Sequence, residues 1–266
     1  MKLSIIIPSC RDPLLQKTID EIRQKVRGEC EIIVILDGYD CEVKGADIVL
    51  RNPKLGMRQT INSGVAASKG EYILKTDEHC MFDEGFDVKL LSNIEDNWVV
   101  IPRRYKLDVE KWQIIDEPPI DYDRLLIDRP DRICGVYWTK RAIEKKDIMV
   151  DETMIFQGSC YLMSRKHWDW LGGLHEEEYG SFAQEAAEIA LKTWLGGGKV
   201  MVNKNTWYAH KHRKFGRTTR LSGTEVKKGN DYARDFWLNN RWDKRIHDLE
   251  WLFTRFGLKY NPYKID

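Results

Sequence analysis

Two short runs of mostly aliphatic residues near the start of the chain, 3–7 and 31–36, most strongly restrict what it can fold into. The second run shows no alternation of polar and apolar residues, which is typical of a strand buried on both faces of a parallel sheet. Residues 46–50 and 71–75 are expected to add two more strands. Pro8 is expected to end the first strand, because proline cannot donate a ladder hydrogen bond.

Helical patterns separate these strands. Residues 14–26 repeat apolar side chains on one helical face, and residues 56–68 read as a second helix with small side chains. The strand–helix–strand order predicts an α/β fold with a right-handed, doubly wound sheet. Ligands of such sheets bind at the carboxyl ends of the strands. The segments expected at that edge are 9–12, 37–40 and 76–80.

The second half of the chain is less regular. Residues 102–150 are rich in charge and prolines and predict loops and irregular strands. Residues 156–164 and 199–203 predict strands, and residues 184–195 predict a helix that three glycines end. From residue 231 onward, spaced apolar side chains predict amphipathic helices, a C-terminal helical extension that packs on the body.

The charge balance excludes some classes of function. With 43 Lys and Arg against 42 Asp and Glu, the net charge of +1 is unlike a uniformly basic nucleic-acid-binding protein, so a polyanion would need a local patch. No apolar stretch reaches the roughly 18 residues of a membrane span. The opening residues do not resemble a signal peptide. The six cysteines form no C-x-x-C pair, so we expect reduced thiols and a cytoplasmic, unexported protein.

The segment 76–80, Thr-Asp-Glu-His-Cys, is the strongest chemical feature. Strand-like alternation would point Asp77 and His79 to one side, where an oxygen and an imidazole nitrogen could share a divalent cation. Either His210 or His212, after the strand at 199–203, could supply a third ligand. Mixed nitrogen and oxygen ligands suit Mn²⁺ somewhat better than Mg²⁺. The structural alternative is that Asp77 caps a turn and His79 is an ordinary surface residue.

Several motifs resemble a known family: Ser-Ile-Ile-Ile-Pro at 4–8, Val-Ile-Leu-Asp-Gly-Tyr-Asp at 34–40, and the stretches 56–67 and 70–79. They are similar to the nucleotide-sugar half of family 2-like glycosyltransferases, and most of all to the polypeptide N-acetylgalactosaminyltransferases. That family's metal motif is Asp-x-His followed by Cys. The resemblance covers residues 1–215 and implies the GT-A fold, a Rossmann-like, mostly parallel sheet flanked by helices.

The resemblance also implies a division of the chain. Residues 1–101 would form the nucleotide-sugar-binding half and residues 102–215 the acceptor-side half of one GT-A domain. Residues 216–266 would form a basic lid and the C-terminal helical extension. The implied donor is a nucleotide diphosphate sugar, most simply a UDP-sugar, and the implied cofactor is Mn²⁺ or Mg²⁺.

Site residues can be assigned one by one from the resemblance. Glu185 would face the donor sugar or the acceptor, because Glu185-Ala-Ala-Glu188 stands where the family has Glu-Asn-Leu-Glu. In an inverting reaction Glu185 could act as the base on the acceptor hydroxyl, with Glu188 on the same helical face; a retaining reaction would need no such base. Their structural alternative is a favourable charge at a helix start. The implied metal ligands are Asp77, His79 and His210, and the implied donor-binding residues are Pro8, Arg11, Asp37, Arg58, Asp77 and Arg213.

The segment 204–228 is basic, with eight lysines and arginines and aromatic residues between them. It could be a lid whose cations, Arg213 above all, close on the diphosphate. It could also track a nucleic-acid backbone, or be an ordinary solvated loop. The nucleic-acid alternative motivates one acceptor hypothesis, a hydroxymethylated pyrimidine in DNA of the kind that bacteriophage glycosyltransferases modify.

Three alternatives to that hypothesis stay open at this point. The acceptor could be a protein, a glycan or a small molecule. The chain could catalyse nucleotidyl transfer, although residues 8–13 supply only one basic residue where a phosphate loop would need more. It could also be a non-catalytic accessory protein that binds DNA through the segment 204–228.

Overall fold

In the computed structural model, which describes residues 2–92, 94–216 and 222–262, the chain folds around a mixed sheet with helices on both faces. The strands are β1 (Leu3–Ser9), β2 (Cys30–Asp37), β3 (Ile48–Asn52), β4 (Tyr72–Thr76), β5 (Cys80–Phe82), β6 (Trp98–Asp108), β7 (Gln113–Ile114), β8 (Asp123–Leu126), β9 (Cys134–Tyr137), β10 (Val150–Glu152), β11 (Cys160–Ser164) and β12 (Lys199–Lys211).

The helices are α1 (Leu15–Lys25), α2 (Met57–Ala67), α3 (Phe86–Leu91), α4 (Thr139–Glu144), α5 (Arg165–Leu171), α6 (Glu185–Leu195), α7 (Gly223–Leu238) and α8 (Leu249–Arg255), with a short 3₁₀ helix at Arg213–Phe215. Among the described helices, none is both long enough and apolar enough to span a membrane.

The main sheet has the order β10-β12-β6-β11-β4-β1-β2-β3. Strands β3, β2, β1 and β4 are parallel, whereas β11 runs antiparallel to both β4 and β6. The parallel half places the carboxyl ends of β1, β2 and β4 at one edge, as the predicted α/β fold requires. The antiparallel β11 then brings the second half of the chain against that edge.

The side chains of β1 explain why polar and apolar residues do not alternate in the run 3–7. Ile6 belongs to one buried cluster, together with Ile61 and Val65 of α2. Ile5 belongs to a second cluster, which contains Ile19 of α1. Successive residues of a strand point to opposite faces, so both faces of β1 are buried under helices.

Three sequence expectations differ from the structure. β1 continues through Pro8 to Ser9, because its pairing with β4 ends at Ile6 and leaves one edge of the strand without a partner beyond that point. The segment 102–150 contains the expected loops and strands, but it also contains the helix α4. β12 extends to Lys211 instead of ending at 203, with an irregularity between Asn203 and Trp207, and it therefore carries His210 on a strand.

The C-terminal helices pack on the body, as the apolar spacing predicts. Trp237 of α7 and Leu252 of α8 are buried in the same cluster as Trp194 of α6. The Phe256 ring, directly after α8, meets the Trp194 ring edge-on at 5.4 Å. The division of the chain at residues 101 and 215 stays a prediction.

Candidate active site

Three potential metal ligands meet at the carboxyl edge of the sheet. Asp77 follows β4, His79 precedes β5, and His210 lies on β12, which pairs with β5. His210 Nε2 lies 3.1 Å from both Asp77 Oδ2 and His79 Nε2, and 3.9 Å separates His79 Nε2 from Asp77 Oδ2. One carboxylate oxygen and two imidazole nitrogens form a ligand set that suits Mn²⁺.

The electrostatics of these groups favour cation binding. Burial works to raise the pKa of Asp77, but the Lys75 ammonium and the two imidazoles together hold it well below its usual range. Burial lowers the pKa of His210, with the neighbouring His79 adding to the effect. Asp77 is therefore ionised and His210 is neutral at pH 7, which are the protonation states that a metal ligand needs.

His212, the alternative third ligand, lies elsewhere. It caps the short 3₁₀ helix, where its Nδ1 accepts a hydrogen bond of 3.3 Å from the backbone N–H of Lys214. The structure therefore brings His210, and not His212, to the Asp77 and His79 pair.

A buried carboxylate supports His79 from behind. Asp12 Oδ2 lies 3.1 Å from His79 Nδ1 and accepts a hydrogen bond of 3.3 Å from Lys211 Nζ. Burial raises the pKa of Asp12, but the hydrogen bonds from His79 and Leu14 N and the charge of Lys211 outweigh it and lower the pKa to about 2. Asp12 is thus a permanently charged acceptor beside the site.

Glu78, between the two ligands in sequence, has a carboxylate oxygen within 4.8 Å of ligand atoms of both Asp12 and His79. Its carboxylate accepts hydrogen bonds from Ser9 Oγ and from Cys10 N, the latter at 3.1 Å, and Ser9 Oγ also bonds Tyr39 Oη. Burial raises the pKa of Glu78 to about 7. Glu78 therefore joins the turn after β1 to the turn after β4.

Glu185 lies at the first position of α6, with its carboxylate 5% exposed. Its Oε1 is 3.4 Å from Lys75 Nζ, yet no well-aligned hydrogen-bond donor among the described residues serves that oxygen. Burial raises the pKa of Glu185. Gly158 lies against the carboxylate, since a Cβ there would be 2.9 Å from Oε2. Glu185 thus stands on the far side of Lys75 from the metal-ligand cluster.

Glu188 is separated from this cluster and fully enclosed. It forms a buried ion pair with Arg58 of α2 and a second one, at 2.7 Å, with Lys192 of α6. Arg58 also donates hydrogen bonds to the carbonyls of His175 at 2.5 Å and Ala183 at 2.8 Å. Arg58 and Glu188 thus join α2 to α6. Their assignment to donor binding and to catalysis stays a prediction.

The remaining donor-side residues lie at the ends of β1 and β2. Pro8 is buried within β1. The Asp37 carboxylate accepts hydrogen bonds from the backbone N–H groups of Leu55 and Gly56, at 2.6 and 3.0 Å, and so shapes the loop before α2. Arg11 is exposed and donates to the Gly38 carbonyl at 3.1 Å. Arg11 and Asp37 thus share one edge of the sheet, while Arg213 lies exposed in the 3₁₀ helix.

The basic segment 204–228 is only partly described, because Arg217 and Arg220 lie outside the described residues. Its described lysines mostly contact protein groups. Lys204 is buried against the carbonyl of Lys145, Lys211 contacts Asp12, and the others contact Asp108, Asp231 and the carbonyl of Glu177.

Sequence reasoning assigned no role to Lys75 or Gly158, and it placed Asp12 at the ligand-binding edge only as part of the segment 9–12. A lysine within the buried strand 71–75 was a usable signal, because an enclosed cation needs anionic partners. Asp12 gave no such signal, since an Asp before a proline is ordinary turn chemistry. Gly158 is significant through its closeness to Glu185 and through its carbonyl, which accepts a hydrogen bond from Lys75.

The chain is similar in sequence to known glycosyltransferases. The family described as Glycosyl transferase family 2 matches residues 4–170. The chain is 29% identical over 161 residues to "Putative polypeptide N-acetylgalactosaminyltransferase 13" of Drosophila melanogaster, which covers 58% of this chain and 27% of that protein. It is 23% identical over 200 residues to "Polypeptide N-acetylgalactosaminyltransferase 3" of Mus musculus, which covers 72% of this chain and 31% of that protein.

Solved structures show the same fold. GalNAc-T7, crystallised with UDP, GalNAc and Mn²⁺, superposes with a TM-score of 0.75 at 18% identity, over 90% of this chain and 49% of that one. TarS of S. aureus gives a TM-score of 0.55 at 12% identity, over 80% of this chain and 37% of that one. The chain therefore spans less than half the length of each of these proteins.

Proposed function

The chain belongs to glycosyl transferase family 2, and on that premise we propose that it transfers a sugar from a nucleotide diphosphate sugar to an acceptor hydroxyl with a divalent cation as cofactor. The observation that carries the proposal is the convergence of Asp77 and His79, from the loop between β4 and β5, with His210 of β12, their ligand atoms lying within 4.8 Å of one another. The presence of UDP and Mn²⁺ with the structural relative GalNAc-T7 supports UDP as the nucleotide and Mn²⁺, or else Mg²⁺, as the ion.

The residues present fit such an ion. His79 Nε2 and His210 Nε2 face each other at 3.1 Å with the Asp77 carboxylate beside them, and a cation would satisfy all three electron-rich atoms at once. A bound cation supplies Lewis-acid stabilisation of the charge that develops on the departing diphosphate. Asp77 would hold the ion by charge, while the two neutral imidazoles orient it.

The nucleotide is proposed to lie along the ends of β1 and β2. Arg11 offers an exposed guanidinium there, and Asp37 shapes the neighbouring loop through its bonds to Leu55 N and Gly56 N. Pro8 would act only by fixing the backbone at this edge. The 3₁₀ helix that carries Arg213 begins three residues after His210, and Arg213 is the proposed cation of a lid over the diphosphate.

Glu185 is the proposed acceptor-side carboxylate. The Glu185 side chain is 5% exposed and lies beside the Lys75 ammonium, and a hydroxyl would meet the exposed part of this carboxylate. In an inverting reaction Glu185 would take the proton of the acceptor hydroxyl; in a retaining reaction it would orient the donor sugar. Both roles require the same contact with a hydroxyl group.

The experiment that tests the proposal measures UDP release from a panel of UDP-sugars with and without Mn²⁺. We expect Mn²⁺-dependent release with at least one sugar and its loss in Asp77→Asn. Asp47→Asn is the matched control, because Asp47 bonds Arg23 and Ile32 N at the opposite edge of the sheet. Metal-independent release, or full activity of Asp77→Asn, would contradict the proposal.

The acceptor is the finer part of the proposal. The names of the two sequence relatives point to polypeptide hydroxyls, whereas a hydroxymethylpyrimidine in DNA rests on the basic segment 204–228 alone. Transfer of labelled sugar to a Ser/Thr peptide, to a free saccharide and to hydroxymethylated duplex DNA, at two salt concentrations, separates the acceptors. Salt-sensitive duplex binding with no UDP affinity would instead favour a non-catalytic accessory protein.

A further inference from the structure

Asp12 is placed to control one of the two histidines of the metal-ligand cluster. Its side chain is 1% exposed and lies in the turn between β1 and α1. Oδ2 is 3.1 Å from His79 Nδ1 and 3.3 Å from Lys211 Nζ, while Oδ1 accepts a hydrogen bond of 3.0 Å from Leu14 N. Both oxygens are therefore fixed, one by the start of a helix and one by His79 and Lys211.

The chemistry of the pair determines where the imidazole proton sits. An ionised carboxylate can only accept hydrogen bonds, so the contact with Asp12 requires a proton on His79 Nδ1. In a neutral imidazole the other nitrogen then carries the lone pair. That nitrogen, Nε2, is the one that lies 3.1 Å from His210 Nε2.

We propose that Asp12 is a positioning residue, which fixes the Nδ1–H tautomer and the ring orientation of His79 so that its Nε2 lone pair faces Asp77 and His210. The metal part of this inference rests on the proposed function. The tautomer part does not, because it concerns the metal-free protein. A side chain that orients a metal-binding histidine in this way commonly accounts for roughly 10- to 100-fold in metal affinity.

Lys211 is the second side chain that contacts Asp12 Oδ2. It follows His210 in β12, so its contact with Asp12 ties the strand that carries the third ligand to the turn that orients the second. The Lys211 ammonium also offsets the buried charge of Asp12, which would otherwise be costly.

The experiment uses protein labelled with ¹⁵N histidine, without metal, and long-range ¹H–¹⁵N correlation spectra of the imidazoles. We expect His79 of the wild type to carry its proton on Nδ1, and the Asp12→Ala variant to shift toward the Nε2–H form, which free imidazole favours. Mn²⁺ titration followed by electron paramagnetic resonance should show affinity falling by roughly 10- to 100-fold in Asp12→Ala. A wild-type His79 protonated on Nε2, or an Asp12→Ala variant with unchanged tautomer and Mn²⁺ affinity, would overturn the inference.

Asp87→Ala is the matched control for the loss of a buried carboxylate. Asp87 is 1% exposed and accepts hydrogen bonds from the backbone of Arg27 and Gly28, at 3.1 and 2.6 Å. Its removal should lower stability and leave the His79 tautomer and the Mn²⁺ affinity unchanged; a shift of either in this variant would overturn the inference, because the effect would then be general.

The outcomes separate this inference from the proposed function. If the wild type binds no Mn²⁺, the proposed function fails, while the wild-type tautomer still tests the role of Asp12. If Asp12→Ala does not fold, Lys211→Met tests the same geometry. This variant keeps the contact between Asp12 and His79, so His79 should retain the Nδ1–H form. Loss of that form in Lys211→Met would count against the assignment of Asp12 as its cause.

Discussion

The Lys75 ammonium donates a hydrogen bond of 2.5 Å to Asp77 Oδ1, on the side of the carboxylate opposite the oxygen that faces His210. Lys75 is 1% exposed, and its remaining contacts are the Gly158 carbonyl at 2.7 Å and Glu185 Oε1 at 3.4 Å. Burial works to lower the pKa of Lys75, but the two carboxylates raise it further than burial lowers it. One enclosed cation thus joins the proposed metal ligand to the proposed acceptor-side carboxylate.

The Lys75→Met variant should therefore be strongly destabilised. It leaves the buried Glu185 and the partly exposed Asp77 without their shared cation, and breaking a buried ion pair costs about 3–5 kcal/mol. Urea denaturation of the metal-free protein measures the loss. Lys69→Met, at an exposed position in the same half of the chain, is the control and should change stability by less than about 0.5 kcal/mol. Equal stabilities of the two variants would show that Lys75 does not neutralise these carboxylates.

His210→Ala and His212→Ala should differ sharply in metal affinity. His210 Nε2 faces Asp77 and His79, so its removal deletes a ligand and should cost more than the roughly 10–100-fold typical of supporting residues. His212 only caps the 3₁₀ helix, so its removal should leave Mn²⁺ affinity nearly unchanged. Mn²⁺ titration of both variants checks this. Similar losses in the two would mean that the segment after β12 rearranges to bring His212 into the site.

The sequence carried enough information for the sheet and for most of this cluster. The apolar runs at 3–7 and 31–36 predict strands buried on both faces, because burial leaves no polar side to the strand. The segment 76–80 follows such a strand, and so its polar residues had to lie at the ligand-binding edge. His210 could be grouped with Asp77 and His79 only through the resemblance, because sequence spacing alone did not distinguish it from His212.

Other features depend on tertiary contacts that leave no local pattern. Glu188 and Arg58 are 130 positions apart, and nothing in either segment predicts that they pair in the core. The length of β12 depends on β6 and β5 as partners, so a pattern confined to residues 199–203 could not reveal it. Asp12 acquires its role from a neighbour 67 positions away.

Glu188→Gln should damage stability rather than catalysis. The Glu188 carboxylate is fully enclosed and pairs with both Arg58 and Lys192, so the amide leaves the buried Arg58 guanidinium poorly compensated. We expect a loss of about 3–5 kcal/mol. UDP release per folded molecule should stay close to the wild-type value, because no surface of Glu188 is open to a substrate. A stable Glu188→Gln protein with much slower UDP release would instead assign Glu188 to catalysis.

Glu185→Gln should have the opposite effects to Glu188→Gln, with little loss of stability and a large loss of transfer activity. Burial raises the pKa of Glu185, so the folded protein already disfavours its charged form and the neutral amide should cost little stability. If Glu185 takes a proton from the acceptor, transfer to an acceptor should fall by about 10²–10⁴-fold, with Mn²⁺ affinity retained. The check is to measure the rate of sugar transfer to the acceptor and the rate of hydrolysis of the UDP-sugar in the same variant. If hydrolysis falls as much as transfer, Glu185 orients the donor sugar instead.

His167 should make the protein less stable in acid. Its ring is buried in α5, where Nε2 lies 3.0 Å from Thr193 Oγ1, and burial lowers its pKa from 6.5 to about 4. The folded state therefore binds this proton less readily than the unfolded state. The neutral ring makes its full contribution to the free energy of unfolding above pH 6.5. This contribution is lost as the pH falls from 6.5 to about 4, a change of about 3 kcal/mol.

Urea denaturation of the wild type and His167→Gln at pH 7, 5.5 and 4 isolates this effect from other titrations. Between pH 7 and pH 4 the wild type should lose about 3 kcal/mol more of its free energy of unfolding than His167→Gln loses. If the difference between the two proteins does not change with pH, the ring is not kept neutral in the folded state.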